Sequence, residues 1–472
     1  MIRHIIDKEL RDILRSTKFA VTFALCSVLI VLSFAVGAKN HRTAQSQYEA
    51  SRTANDRQYD GLTEWMRVQQ YRIFLPPQPL ATLVSGVSND IGRTIEVRGR
   101  GELRNEDSRY GDDPIFAVFR FLDLDFLFTV VLSLFAILFG YDLISGEKER
   151  GTLRLTFANA VPRTTYLLGK FTGAYFALAV PLLIPLLAGA ALLPAFGVAL
   201  HGSEWTALAL IIAAGLLSIG VHLALALFVS ARTERSSTSF LILLSLWIVT
   251  TLVLPRLSVV AADRFVTVPS LDEINSQKGR YMSQLWNEDR QKLQNFTAPA
   301  TNDMQAVMTA FNQYMQSIAD EREKKFNELA ARLNEERKNR QLEQQRLTAL
   351  FSLLSPSALF TLVSSEAAGT SLRMEQSYLA QAKEYQQQFA RFMKEKTGMN
   401  TGGFAMVFRM VTDDNAEKPK PINIHELPPF TFTPPPMSEA ALVIAGGCGI
   451  LALFGILFTA GAVISFSRYD VR

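Results

Sequence analysis

Residues 171–200 read FTGAYFALAVPLLIPLLAGAALLPAFGVAL, thirty residues without a charge. A helix rises about 1.5 Å per residue, so this run exceeds the roughly 30 Å hydrocarbon core of a bilayer. A single run of this kind could be a core helix of a large soluble protein. The pattern repeats on both sides: downstream lie 205–230 (26 residues) and 236–255 (20), upstream lies 126–141 (16), and 19–37 (19) and 440–467 (28) stand near the two ends. The shortest run is extended by Leu122, Leu124, Leu143 and Ile144. Six spans result. The first, preceded by Arg3, Lys8, Arg11 and Arg15, has an apolar part longer than that of a cleaved leader and is read as an anchor.

The 472 residues are 49% hydrophobic and 19% charged, the latter below the share usual for a soluble enzyme. The formal net charge of +4 is too small for a nucleic-acid binder that depends on a concentrated basic surface. Cys26 and Cys448, both inside apolar runs, exclude a disulfide framework and a cysteine zinc site.

Lysine and arginine near the span ends orient the chain. Segments 1–18, 145–170, 231–236 and 467–472 carry fourteen in 56 residues, whereas 38–52, 108–122, 199–206, 256–270 and 423–437 carry seven in 68. By the positive-inside bias the first set, with both termini, is cytoplasmic. The expected order is therefore 1–18 amphipathic elbow helix, 19–37 first span, 38–122 extracytoplasmic insertion, 123–144 second span, 145–165 cytoplasmic loop and 166–200 third span. The fourth and fifth spans, 205–230 and 236–255, lead to a 256–437 extracytoplasmic helical domain, a 438–467 sixth span and a 468–472 tail. The fold class is mainly α, with a small mixed α/β contribution.

In the first insertion, 45–70 is compatible with a helix, prolines 76, 77 and 79 interrupt any helix, and 91–103 suggests a short strand pair around Ile95 and Val97. In the second, Met304, Val307, Met308, Phe311, Met315 and Ile318 recur at helical spacing, followed by Phe326, Leu329 and Leu333. This predicts a long helix over 303–351, its mixed charges a solvated face, ended by Pro356. Tyr378, Ala382, Tyr385, Phe389 and Met393 predict a second helix over 369–396, able to return antiparallel to the first. Asn295-Phe296-Thr297 fits a glycosylation sequon.

Catalytic motifs are missing. Gly169-Lys170 has Phe171 where a phosphate loop needs a hydroxyl and Thr164 where it needs its first glycine, so the chain is not expected to be an ATPase or another enzyme. His425-Glu426 lacks the second histidine of a zinc protease, and His222, inside the fourth run, reads as a packing residue. No cofactor or metal is expected on this chain.

The informative piece is 140–170. The second span runs into Gly146, charges follow at Glu147, Lys148, Glu149 and Arg150, and Gly151 allows a sharp reversal. Residues 152–160 can form a short surface helix with Leu153 and Phe157 one turn apart; Pro162 ends it, and Thr164 or Thr165 can cap the third span. Such a helix, held between two spans, suits transmission of force from a cytoplasmic partner.

At Tyr141, Asp142, Ile144, Ser145, Gly146, Glu147, Glu149, Gly151, Thr152, Leu153, Arg154, Pro162, Arg163, Gly169 and Lys170 the sequence resembles the first cytoplasmic loop of ABC-2 type permeases, the membrane subunits of ABC exporters. The amphipathic start and Phe466-Ser-Arg-Tyr-Asp-Val471 also look like that family, and the large insertions are similar to those of nitrous-oxide-reductase maturation and gliding-motility permeases. The resemblance implies an inner-membrane half-transporter working with a second permease copy or paralogue and two separate ATPase subunits that bind ATP and Mg. It also implies ATPase coupling at Gly146, Glu147, Glu149, Arg150, Gly151, Thr152, Leu153, Phe157, Pro162 and Arg163, with Leu153 and Phe157 seated in a groove of the ATPase. Membrane lipid and an envelope partner are further expected contacts. The alternative is a mechanotransmission subunit that moves its external helices without passing cargo.

Overall fold

The computed structural model describes residues 2–86, 93–99, 103–105, 123–158, 161–297, 304–397 and 421–469. The chain opens with α1 (Ile2–Leu14), amphipathic as expected: Ile13 is buried and Ile5, Ile6 and Leu10 are half-buried, while the basic residues face out. Among the described residues six helices are long and apolar enough to cross a membrane. They are α2 (Thr17–Arg57), α3 (Leu124–Glu149), α5 (Arg163–Ala195), α6 (Gly202–Arg232), α7 (Ser236–Phe265) and α12 (Met437–Ser467). The short α4 (Thr152–Phe157) lies between α3 and α5. The protein is thus mainly α, built on six apolar helices with a small sheet beside them.

The centre of the bundle is α6, buried over most of its apolar length, whereas α7 and α12 leave most of theirs outward. Several helices outrun the apolar runs that announce them. Helix α2 continues from the first run to Arg57, about 62 Å in all, because 38–57 holds good helix formers and no proline or glycine. Helix α7 passes straight through Pro255, the last residue of the fifth apolar run. Pro255 cannot donate to the carbonyl four residues back, and the ladder widens to a π-helical stretch, Ile248–Val253, immediately before it. A second π stretch, Leu127–Leu132, lies in α3.

The strand expectation is half met. β2 (Thr94–Arg98) contains Ile95 and Val97, but its main partner is β1 (Gln70–Phe74), antiparallel with Ile73 opposite Ile95; β3 (Arg104–Asn105) pairs on its other side. Ile91 lies outside the described residues.

Two helices form an antiparallel pair beyond the apolar bundle: α8 (Leu271–Gln294) and α9 (Met304–Ser352), the latter 49 residues and about 74 Å long. The α9 charges are not simply solvated. Arg322 pairs with Asp289 and stacks 3.8 Å over Trp286, Lys292 lies 2.6 Å from Glu321, and Lys278 donates to Asn334 at 3.1 Å. At the opposite end of the stripe Met304 is 77% exposed, and Ile318 is the first of its residues to be buried.

α10 (Pro356–Ala368) turns back into the bundle. Ser355 caps it, accepting from the Ala358 N–H and donating to the Thr250 carbonyl, and Pro356 fills the first helical position. Leu359 packs with Val221 and Leu451, and the Phe360 ring meets Phe128 in a tilted pair with centroids 5.2 Å apart. Leu451 lies fourteen residues into α12, about 21 Å from its start, so α10 sits among the spans and not with the outer helices expected for 256–437.

α11 (Leu372–Thr397) corrects a further expectation. It does not return along α9. Its stripe, Met374, Tyr378, Tyr385, Phe389 and Met393, packs on Val68, Ile73, Ile95 and Val97 of the sheet region. The Tyr378 hydroxyl donates to the Arg93 carbonyl at 3.1 Å, and Tyr385 donates to the Pro428 carbonyl at 2.9 Å. The two insertions therefore share one core, distinct from that of the bundle.

Candidate functional site

The loop between α3 and α5 is held by backbone groups first. After Gly140 a turn over 141–144 breaks α3, and the Ser230 hydroxyl of α6 accepts from the Ile144 and Ser145 N–H groups, each at 3.0 Å, saturating donors that the turn leaves open. The last turn of α3, Ser145–Glu149, follows. Gly151 then reverses the chain in the left-handed region with φ 70° and ψ 4°, where a side chain is disfavoured, and opens α4. A Cβ there would meet nothing within 4 Å, so the backbone conformation is the whole reason for glycine.

Below this turn is a buried ionic knot. Lys170 of α5 places its ammonium 2.8 Å from Glu147 Oε1 and 3.1 Å from Glu9 Oε2, and donates to the Leu143 carbonyl at 2.9 Å. The Tyr166 hydroxyl donates to Glu147 Oε2, and Lys8 lies 3.8 Å from Glu147. Glu9, Glu147 and Lys170 are all buried. Burial pushes the Glu9 carboxyl above the usual carboxylate range, against the pull of Lys170. The knot needs α1 close to α5, and glycine provides that approach: a Cβ at Gly169 would fall 2.9 Å from Ile5 Cγ2, and one at Gly173 would fall 2.9 Å from Glu9 Cβ.

The remaining expected residues join other elements to the loop. Glu149 accepts from the Ser236 N–H at the start of α7 at 3.1 Å. Lys148 donates to the Ala231 and Thr233 carbonyls that end α6. Arg150 Nε donates to the Gly146 carbonyl at 3.0 Å, and Thr152 donates to the Glu147 carbonyl at 3.4 Å. Arg163 caps the far end of α12, one nitrogen donating to the Phe466, Ser467 and Tyr469 carbonyls at 3.2, 2.6 and 2.9 Å. Thus α1, the loop, the α6–α7 turn and the end of α12 gather at one end of the bundle. Pro162, not Thr164 or Thr165, stands at the α5 N-cap.

Two orientations differ from expectation. Leu153 is 2% exposed within the main core, and Phe157 packs on Tyr166 and Phe466 with ring centroids 5.2 and 5.6 Å apart. Both seat α4 on its own chain, because a six-residue helix lying on a bundle must bury its apolar side there. What faces out is a ridge of Glu149, Arg150, Gly151, Thr152, Arg154 and Leu155, the last 71% exposed. Leu155, Glu9, Tyr166 and Lys170 were not singled out as functional from the sequence. A glutamate on the apolar face of α1 and a lysine at the edge of an uncharged run are the signals that could have found two of them.

Elsewhere, buried His222 contacts the Ser218 carbonyl at 2.8 Å, a packing arrangement within its own helix. Glu426 pairs with Lys396 at 2.5 Å, and Asn295 ends α8. Among the described residues no cluster of His, Cys, Asp or Glu could hold a metal ion.

A family model described as ABC-2 family transporter protein matches residues 3–388, which takes in α1, the loop, five of the apolar helices and most of the second insertion. No curated protein matches the chain.

Proposed function

The chain belongs to the ABC-2 family of transporter proteins, and from that premise we propose that it is the permease half of an ATP-driven exporter whose ATP and Mg are bound by two separate ATPase subunits. The loop ridge Glu149–Leu155 is the surface on which an ATPase presses. The observation that carries this reading is the Glu9–Lys170–Glu147 knot, since it joins the loop rigidly to α1 and α5. A push on the ridge then moves helices, not merely a loop. The gathering of α1, the loop and the end of α12, which belong to the set of segments with the higher summed Lys and Arg count, supports placing this end and both termini at the cytoplasmic face of a bacterial inner membrane. The helical pair α8–α9 and the sheet domain then lie outside the cytoplasm. A second permease copy or paralogue completes the pathway.

Mechanotransmission remains the second reading, favoured by one feature. Helix α9 is a continuous rod that ends against α7, where Ser258 and Ser352 hydrogen-bond at 3.1 Å, and leads directly into α10 inside the bundle. Such a rod can carry a movement of the spans outward to an envelope partner.

Co-expression with the cognate ATPase, purification of the complex and reconstitution in vesicles test the proposal. ATP turnover should depend on the ATPase subunit and be altered by the permease, whereas the chain alone should show none. A complex that turns over ATP identically with and without this chain contradicts it.

A further inference from the structure

At the same end of the bundle, beside the loop, a groove of about 420 Å³ opens between α6 and α12. Its composition changes with depth. The rim carries Arg232, the last residue of α6, and Arg468, which caps α12; the floor is formed by Phe228, Gly461 and Ile464 one to two turns further in. Each of these helices has 31 residues, about 46 Å, which exceeds the roughly 30 Å hydrocarbon core and puts the terminal arginines at the level of lipid headgroups. The floor lies at the level where acyl chains begin.

The described lining of the groove is cationic. Among the described residues no acidic side chain lines it, and neither Arg232 nor Arg468 is in an ion pair. The helix-end carbonyls nearest these guanidinium groups already accept from other cations. Lys148 holds those of Ala231 and Thr233, and Arg163 holds those of Phe466, Ser467 and Tyr469. Arg232 is poised over its own floor, 5.5 Å from the Phe228 ring. Gly461 leaves room for the Phe228 ring, since a Cβ there would lie 2.9 Å from Phe228 Cε2 and would displace it.

We propose that this groove binds one anionic phospholipid, its phosphate between Arg232 and Arg468 and an acyl chain along Phe228, Gly461 and Ile464. The chemistry requires both parts, a negatively charged head and an apolar tail entering from the bilayer side. Lys148 links the site to the loop: its ammonium bonds the end of α6 and lies 4.3 Å over the ring of Tyr469, which also lines the groove. An occupied groove would therefore brace the loop through Lys148.

The test uses the full chain in neutral detergent, with phosphatidylglycerol, phosphatidylcholine or inorganic phosphate added, and native mass spectrometry as the readout. Phosphatidylglycerol should be retained as a one-lipid adduct at least about tenfold more than phosphatidylcholine, and phosphate alone should give no adduct. The Arg232→Gln, Arg468→Gln double variant, whose exposed side chains leave folding intact, should lose most of that preference. Gly461→Leu, which fills the floor, should lose the lipid while both charges remain; a size-exclusion profile matching the parent confirms its fold. Equal retention of both lipids, an unchanged preference in the double variant, or binding of phosphate without lipid would each overturn the proposal.

Discussion

The Lys170 ammonium lies 2.8 Å from the Glu147 carboxylate, so a residue of the third apolar helix is bonded to the last turn of the second, directly beneath the loop ridge. Glu9 of α1 completes the arrangement at 3.1 Å. Removing the cation alone leaves two carboxylates buried together, and breaking a buried pair in this way typically costs about 3–5 kcal/mol. Lys170→Met is expected to lower the unfolding temperature of the purified chain markedly, read by intrinsic fluorescence. Lys170→Met combined with Glu147→Leu and Glu9→Leu should recover part of the loss. A single Lys170→Met variant as stable as the parent would show that the knot is not a tie.

The turn at Gly151 separates conformational strain from crowding. Because a Cβ there meets nothing, Gly151→Val should cost about 1–2 kcal/mol through its φ of 70° alone. Gly151→Asn, which tolerates the left-handed region, should cost much less. Comparing ATPase capture by the two variants tests this. Equal loss in both would point to a contact of the glycine itself with a partner.

Placement of α9 outside the cytoplasm is open to labelling. With Cys26 and Cys448 replaced by alanine, Asp320→Cys should react with a membrane-impermeant thiol reagent in cells whose outer barrier has been permeabilised. Labelling that appears only after lysis would reverse the topology.

Much of this was legible in the sequence. Uncharged runs near twenty residues announce spans because lipid tolerates few other solutions, and a charged turn ending in glycine announces a reversal. The orientation of Leu153 and Phe157 was not legible, because their four-residue spacing is the same whether the apolar face meets the chain's own bundle or a partner. Nor was the docking of α11: the stripe from Met374 to Met393 says that a face is buried, not that strands 70–74 and 94–98 cover it. The knot joins Glu9 to Lys170 across two spans and an insertion, and no local pattern records such a pairing. Length of helix was understated where polar helix formers continue an apolar run, as from Gly37 to Arg57.

Coupling rests on the outward ridge of the loop, where Leu155 is the most exposed apolar side chain. Leu155→Asp should leave the chain folded, because the side chain faces away from the bundle, whereas Leu153→Asp buries a charge in the core and should cut the yield of folded protein. Affinity capture of the cognate ATPase on the purified Leu155→Asp chain, with elution volume and unfolding temperature matching the parent, is the most direct measurement. At least a tenfold loss of captured ATPase and of permease-dependent ATP turnover is expected. Full capture and full turnover by the folded Leu155→Asp variant would contradict it.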